Sequence, residues 1–134
     1  MPYFEVQSFW FMNLPIIDTH CDILSYLAKI PNAAPDESSD IACALPLLKK
    51  GNVKMQVCAI YTDVAAGSMA SATRQAEKYR MMLKDFAKDV SQVDKGFLES
   101  MDLDSKIGLI AAVENAAGLA DEKAPIAAAF DQLE

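Results

Sequence analysis

The chain has 134 residues, of which 52% are hydrophobic, and carries 19 acidic against 12 basic side chains for a net charge of −7. At roughly 150 residues per domain the length holds a single domain, and the apolar share is enough for a packed core, which excludes a disordered chain. The negative balance repels phosphate backbones and anionic lipid surfaces, so no nucleic-acid or membrane partner is expected, and no apolar run approaches the roughly 18 residues of a membrane span.

Residues 1–13 stand apart. Tyr3, Phe4, Phe9, Trp10 and Phe11 make the stretch aromatic, but it holds Glu5 and no lysine or arginine. A secretory signal opens on positive charge and continues into a longer apolar run. The expectation is a mature cytoplasmic chain in which residues 1–13 are a leader or a small pairing strand, with Met12 a second candidate start. Leu14 to Asp22 (LPIIDTHCD) is the first predicted strand, followed by a short helix over Ser25 to Lys29 and a loop over Pro31 to Ser39. Ala42 to Lys50 is the next helix, with Leu45 and Leu48 on one side, Lys49 and Lys50 at the negative end of its dipole and Gly51 as its stop. Val53 to Tyr61 (VKMQVCAIY) is the second strand. Ser68 to Val93 is the longest predicted helix. In it Met69, Ala72, Ala76, Tyr79, Leu83, Phe86 and Val90 recur at spacings of 3 and 4, as a core-facing stripe or a coiled-coil seam. A turn over Asp94 to Gly96 precedes the third strand, Ile107 to Glu114 (IGLIAAVE), and Pro125 opens a last helix over Ala124 to Leu133.

The strands are apolar without strict alternation, which suits strands covered on both faces. The order is βαβαβα, and it predicts an α/β fold with a parallel sheet and right-handed crossovers. Cys21, Cys43 and Cys58 are odd in number and form no C-x-x-C, so they are expected as reduced, mostly buried thiols. No glycine-rich phosphate-binding loop of either common spacing occurs.

His20 is the only histidine. It closes the first strand two residues before Asp22, and side chains at i and i+2 share a side of a strand. An imidazole nitrogen beside a carboxylate oxygen suits a borderline divalent ion such as Zn²⁺, and Asp18, one step deeper, is placed to orient the histidine. The plainer alternative is a structural His–Asp hydrogen bond. Glu114 ends the third strand after LIAAV, and a carboxylate closing a buried strand is costly unless something pairs with it. In parallel α/β folds ligands gather at the carboxyl ends of strands, where His20, Asp22 and Glu114 all fall. One carboxylate can also bridge two cations. Glu114 as an acid at a helix N-terminus is the other reading.

These residues carry a family resemblance. IIDTHCDIL resembles the opening strand of the renal (membrane) dipeptidase family, peptidase M19 of the amidohydrolase superfamily, whose bacterial members show a D-x-H-x-D of this kind. ALPLLKKGNVKMQVCAIYT resembles the family's short helix, turn and glutamine-bearing strand, and KIGLIAAVENA resembles its strand ending in glutamate. The blocks stand in the family's order and cover most of the chain from Ile16 onward. The H-x-D form favours this branch, since many other amidohydrolases open with H-x-H. The resemblance implies a zinc-dependent dipeptidase with two Zn²⁺ per complete site. His20 and Asp22 would bind the first and Glu114 would bridge both. Tyr61, closing the second strand, would line the pocket for a small dipeptide substrate or simply cover the rim.

The family's fold is a (β/α)8 TIM barrel, which takes about 250 residues. Three βα units are visible here, so residues 14–134 are expected as the N-terminal part of the dipeptidase domain, inactive alone and completed by the remainder of the barrel. The family's other histidine ligands, oxyanion-stabilising histidine, carboxylate-binding arginine and late aspartate have no counterpart in this sequence. The catalytic groups are therefore expected in the missing C-terminal part. A homodimer is admitted as an assembly. Asn115-Ala116 and Gly51-Asn52 stand where relatives often carry paired glycines. The alternatives are another amidohydrolase chemistry, a deaminase or lactonase, and a non-catalytic α/β fragment.

Overall fold

The computed structural model describes residues 14–37, 40–100 and 106–119. Strands β1 (Ile16–Cys21), β2 (Val53–Ile60), β3 (Val90–Gln92) and β4 (Ile107–Val113) form one sheet in the order β1-β2-β4-β3, with every pairing parallel. Parallel neighbours need crossover connections. Helices α1 (Ile23–Lys29), α2 (Leu45–Lys50) and α3 (Ser68–Asp85) supply them and all pack on β2. This is the α/β class with a parallel sheet that the sequence predicts, arranged as consecutive βα units of the kind a barrel is built from.

Alternation along the strands sorts their residues. Cys58 and Ile60 of β2, and Ile107 and Leu109 of β4, enter the core with Ile23, Leu24 and Leu27 of α1, Leu45 and Leu48 of α2, and Met82 of α3. Gly108 faces the other way. A Cβ there would lie 2.6 Å from Val93 Cγ2 and 2.7 Å from Phe97 Cζ, so Phe97 of α4 (Lys95–Ser100) closes the sheet's second face at the start of β4.

Several boundaries differ from the sequence expectation. The long helix stops at Asp85 rather than Val93, and the segment beyond it becomes a fourth strand where three were expected. The amides of Asp89 and Val90 both donate to the Phe86 carbonyl, at 2.8 and 3.0 Å. The turn thus keeps helical pitch as far as Val90, which is why the apolar stripe reads straight through it. Val90 is β-branched, fully buried and paired with Ile107, a better use of its shape than a helix end. The predicted turn at Asp94 to Gly96 is instead a helix start, because Asp94 Oδ1 accepts the Phe97 N–H at 2.8 Å. Helix α1 begins at Ile23 rather than Ser25, and α2 at Leu45 rather than Ala42, with a proline in its first turn. β1 is not covered on both faces: among the described residues it pairs only with β2, and Ile16 and Ile17 are 47% and 62% exposed. The leader over residues 1–13, the helix over residues 124–133 and the end of the predicted loop at residues 38–39 lie outside the described residues.

The three thiols are free, with Cys21 and Cys58 buried as register partners and Cys43 half-buried. Contact with Cys43 pulls the Cys21 pKa down, but contact with Cys58 and burial outweigh it and push it up to about 12. Contact with Cys21, then burial, also raises Cys43. Tyr79 donates to the Leu109 carbonyl at 2.9 Å, and burial pushes its pKa up to about 12.

Two outcomes are expected. Gly108→Ala should cost about 1–3 kcal/mol of stability by overpacking against Phe97, read as a fall in the denaturation midpoint. Alkali should also destabilise the fold. The native state keeps its thiol and phenol protons after the unfolded chain, with ordinary values of 9.0 and 10.0, has lost them. Stability is therefore whole below pH 9.0 and falls as pH climbs toward about 12, which denaturant midpoints across that window measure.

Candidate metal centre

The site begins with an irregularity in β1. Asp18 stands level with Gln56 and Cys21 with Cys58, so three steps of β1 match two of β2. This is a β-bulge, and Asp18 holds it by accepting the backbone N–H of His20 on Oδ1 at 3.1 Å. Asp18 was expected to orient the histidine, and the contact described between them runs through the His20 backbone N–H. The bulge interrupts the i, i+2 alternation that the expectation assumed. Beyond the bulge Cys21 turns into the core, while His20 and Asp22 stand exposed at the strand's carboxyl end.

Glu114 arrives from the other side of β2. Its N–H donates to the Ile60 carbonyl at 3.2 Å, extending the β2–β4 ladder one rung past Val113, and its position continues the alternate set of Gly108 and Ala112. At this level β2 presents Ala59, the register partner of Ala112. His20 and Glu114 reach toward each other across the middle strand. His20 Nε2 lies 3.7 Å from Asp22 Oδ1 and 3.9 Å from Glu114 Oε2. The three ligand atoms all lie within 4.8 Å of one another.

The set fits a divalent cation. Donors about 2.0–2.2 Å from a tetrahedral ion stand roughly 3.3–3.6 Å apart, a few tenths of an ångström closer than the 3.7 and 3.9 Å that separate His20 Nε2 from the two carboxylates. The imidazole and carboxylates sit too far apart for hydrogen bonds and close enough to share an ion after a small side-chain adjustment. One nitrogen and two oxygens suit a borderline metal such as zinc. A cavity of about 520 Å³ opens beside the group, lined by His20, Asp22, Asp18, Tyr26, Asp40 and Cys43.

Tyr61 follows β2 directly and is 37% exposed. Its hydroxyl donates to Asp63 Oδ1 at 3.2 Å. That carboxylate raises the Tyr61 pKa, with partial desolvation and the Glu114 charge adding to it. The phenol therefore stands at the same rim as the candidate ligand group. Two further residues hold this rim, Gln75, which the sequence did not single out, and Asn115, noted there only as a departure from the family's glycines. Gln75 of α3, fully buried, accepts the Tyr61 N–H at 3.1 Å and donates to the Tyr61 carbonyl at 2.6 Å. Asn115 donates to the Thr62 carbonyl at 2.8 Å and accepts the Ala117 N–H at 3.0 Å. The signal for Gln75 was present: it is a polar residue on the core-facing stripe, three beyond Ala72 and four before Tyr79. The signal for Asn115 was an Asx-type residue directly after a strand.

A parallel α/β sheet that gathers an imidazole and two carboxylates at its carboxyl rim places this chain among the α/β proteins that hold their chemistry at strand ends. Within that class, the chain belongs to the membrane dipeptidase family, peptidase family M19, whose model matches residues 7–132. This bears out the resemblance carried by the three sequence blocks and makes the chain hydrolase-like, of dipeptidase kind. No curated protein matches it. Among the described residues, no helix is long and apolar enough to cross a membrane.

Because His20, Asp22 and Glu114 are exposed, alanine at any of them should shift stability by no more than about 0.5 kcal/mol while weakening zinc binding. Denaturation curves and equilibrium dialysis on the same preparations separate the two effects.

Proposed function

We propose that the chain is the N-terminal, metal-bearing part of a zinc-dependent dipeptidase with a binuclear centre. The observation that carries this reading is the convergence of His20 Nε2 and carboxylate oxygens of Asp22 and Glu114 within 4.8 Å at one rim of a parallel sheet. His20 and Asp22 would hold the first ion, and the Glu114 carboxylate would be the group shared with a second. When bound, zinc supplies Lewis acidity and brings the pKa of water from about 15.7 toward about 7.

The chain's own residues do the rest. Asp18 fixes the backbone of His20, so the imidazole is aimed before metal or substrate arrives. Glu114 is exposed on the side chain and tied on the backbone, which lets its carboxylate adjust without the strand moving. Tyr61 offers a hydroxyl at the rim, positioned to contact a dipeptide bound over the centre. The group that protonates the leaving amine is supplied from outside the described residues.

The sheet's edges support completion by further strands. Among the described residues β1 has a strand on one side alone, and it exposes Leu14, Ile16 and Ile17. On the other side β3 covers only Ile107 to Leu109 of β4. Apolar parallel edges of this kind call for more strands, as in a barrel.

The test uses the enzyme with its remaining strands. Dipeptides should be hydrolysed in preference to lactones or nucleobases, with close to two zinc ions per site, and His20→Ala should lose most metal and activity together. Full activity in metal-stripped His20→Ala protein, or preference for a lactone or nucleobase, would end the proposal.

A further inference from the structure

The carboxyl end of β2 is held by side chains where the ladder runs out. The Ile60 carbonyl takes the Glu114 N–H, the Tyr61 N–H and carbonyl are both taken by Gln75, and the Thr62 carbonyl is taken by Asn115. Glu114 therefore lies between two ties, its own rung and the Asn115 amide one residue on. Asn115 is itself anchored. It is extended, with φ −144° and ψ 162°, and its Oδ1 starts the 3-10 turn Ala116–Gly118 by accepting the Ala117 N–H. That turn is pressed onto α3, since a Cβ at Gly118 would lie 2.7 Å from Ala72 Cβ. Gln75 leaves the same helix three residues later. The contacts make a closed ring from β4 through Asn115 and the turn to α3, through Gln75 to the end of β2, and back to Glu114.

We propose that Asn115 and Gln75 are positioning residues for the metal centre. Through the backbone of Tyr61 to Thr62 they set how far the Glu114 carboxylate stands from His20 and where the Tyr61 phenol points. The inference rests on reading Glu114 as a metal ligand. An asparagine in this place closes the ring with its side chain, which a residue without a side-chain amide could not do. Positioning contacts of this kind typically change metal affinity by roughly 10–100-fold when removed.

A destabilised control separates positioning from folding. Gly108→Ala weakens packing at the far end of β4 and touches nothing at the rim. Asn115→Ala and Gln75→Ala are compared with it for zinc affinity, by competition with a chromophoric chelator, and for thermal midpoint without metal. The expected result is a roughly 10–100-fold loss of zinc affinity in the rim variants beyond anything Gly108→Ala shows. Crystal structures of the metal-free wild-type and Asn115→Ala proteins give a second readout, with Glu114 Oε2 expected to move off its 3.9 Å approach to His20. Equal zinc affinity in rim and control variants, or an unmoved Glu114, overturns the proposal. Should wild-type protein bind no zinc, the dipeptidase reading fails, and the crystal comparison alone decides whether the ring positions Glu114.

Discussion

The candidate centre depends on one geometric constraint: a histidine on β1 and a glutamate on β4 must meet across a strand that lies between them. Adjacent strands stand roughly 4.8 Å apart, so the two backbones are about twice that distance from each other. The bulge held by Asp18 aims His20 toward the carboxyl rim. Ala59 and Ala112, register partners beneath the two side chains, keep this stretch of the sheet to small residues. The added rung from Glu114 to Ile60 carries β4 far enough for the carboxylate to arrive.

The same sheet divides its labour by parity. Ile107 and Leu109 point into the helical layer and carry burial. Gly108, Ala112 and Glu114 form the alternate set, which Phe97 closes at one end and the ligand group occupies at the other. Stability is thus concentrated in residues whose neighbours along the strand carry the chemistry. Exposed ligands can adjust to an ion without disturbing the core, while the backbone beneath them stays fixed by ladder and side-chain ties.

Much of this was legible in the sequence. Apolar runs marked β1, β2 and β4, the H-x-D pair and a strand-closing glutamate marked the three side chains that converge at the rim, and the family match bears out the resemblance they carried. The misses share a cause. Val90 sits at helical spacing from Phe86 because the turn between them keeps helical pitch, so periodicity could not show that the chain had left the helix. The bulge between Asp18 and Cys21 was hidden because i, i+2 logic assumes a regular strand, and only the register with β2 reveals it. Gln75 and Asn115 act on backbone groups distant in sequence, and their partners exist only once β2, β4 and α3 have packed.

The most direct measurement is anomalous diffraction at the zinc absorption edge from crystals of the chain equilibrated with Zn²⁺. The predicted map shows an ion coordinated by His20 Nε2 and by oxygens of Asp22 and Glu114. An ion bound elsewhere with this group empty, or no ordered zinc at the rim while the three side chains stay at their present separations, would contradict the metal centre and the function built on it.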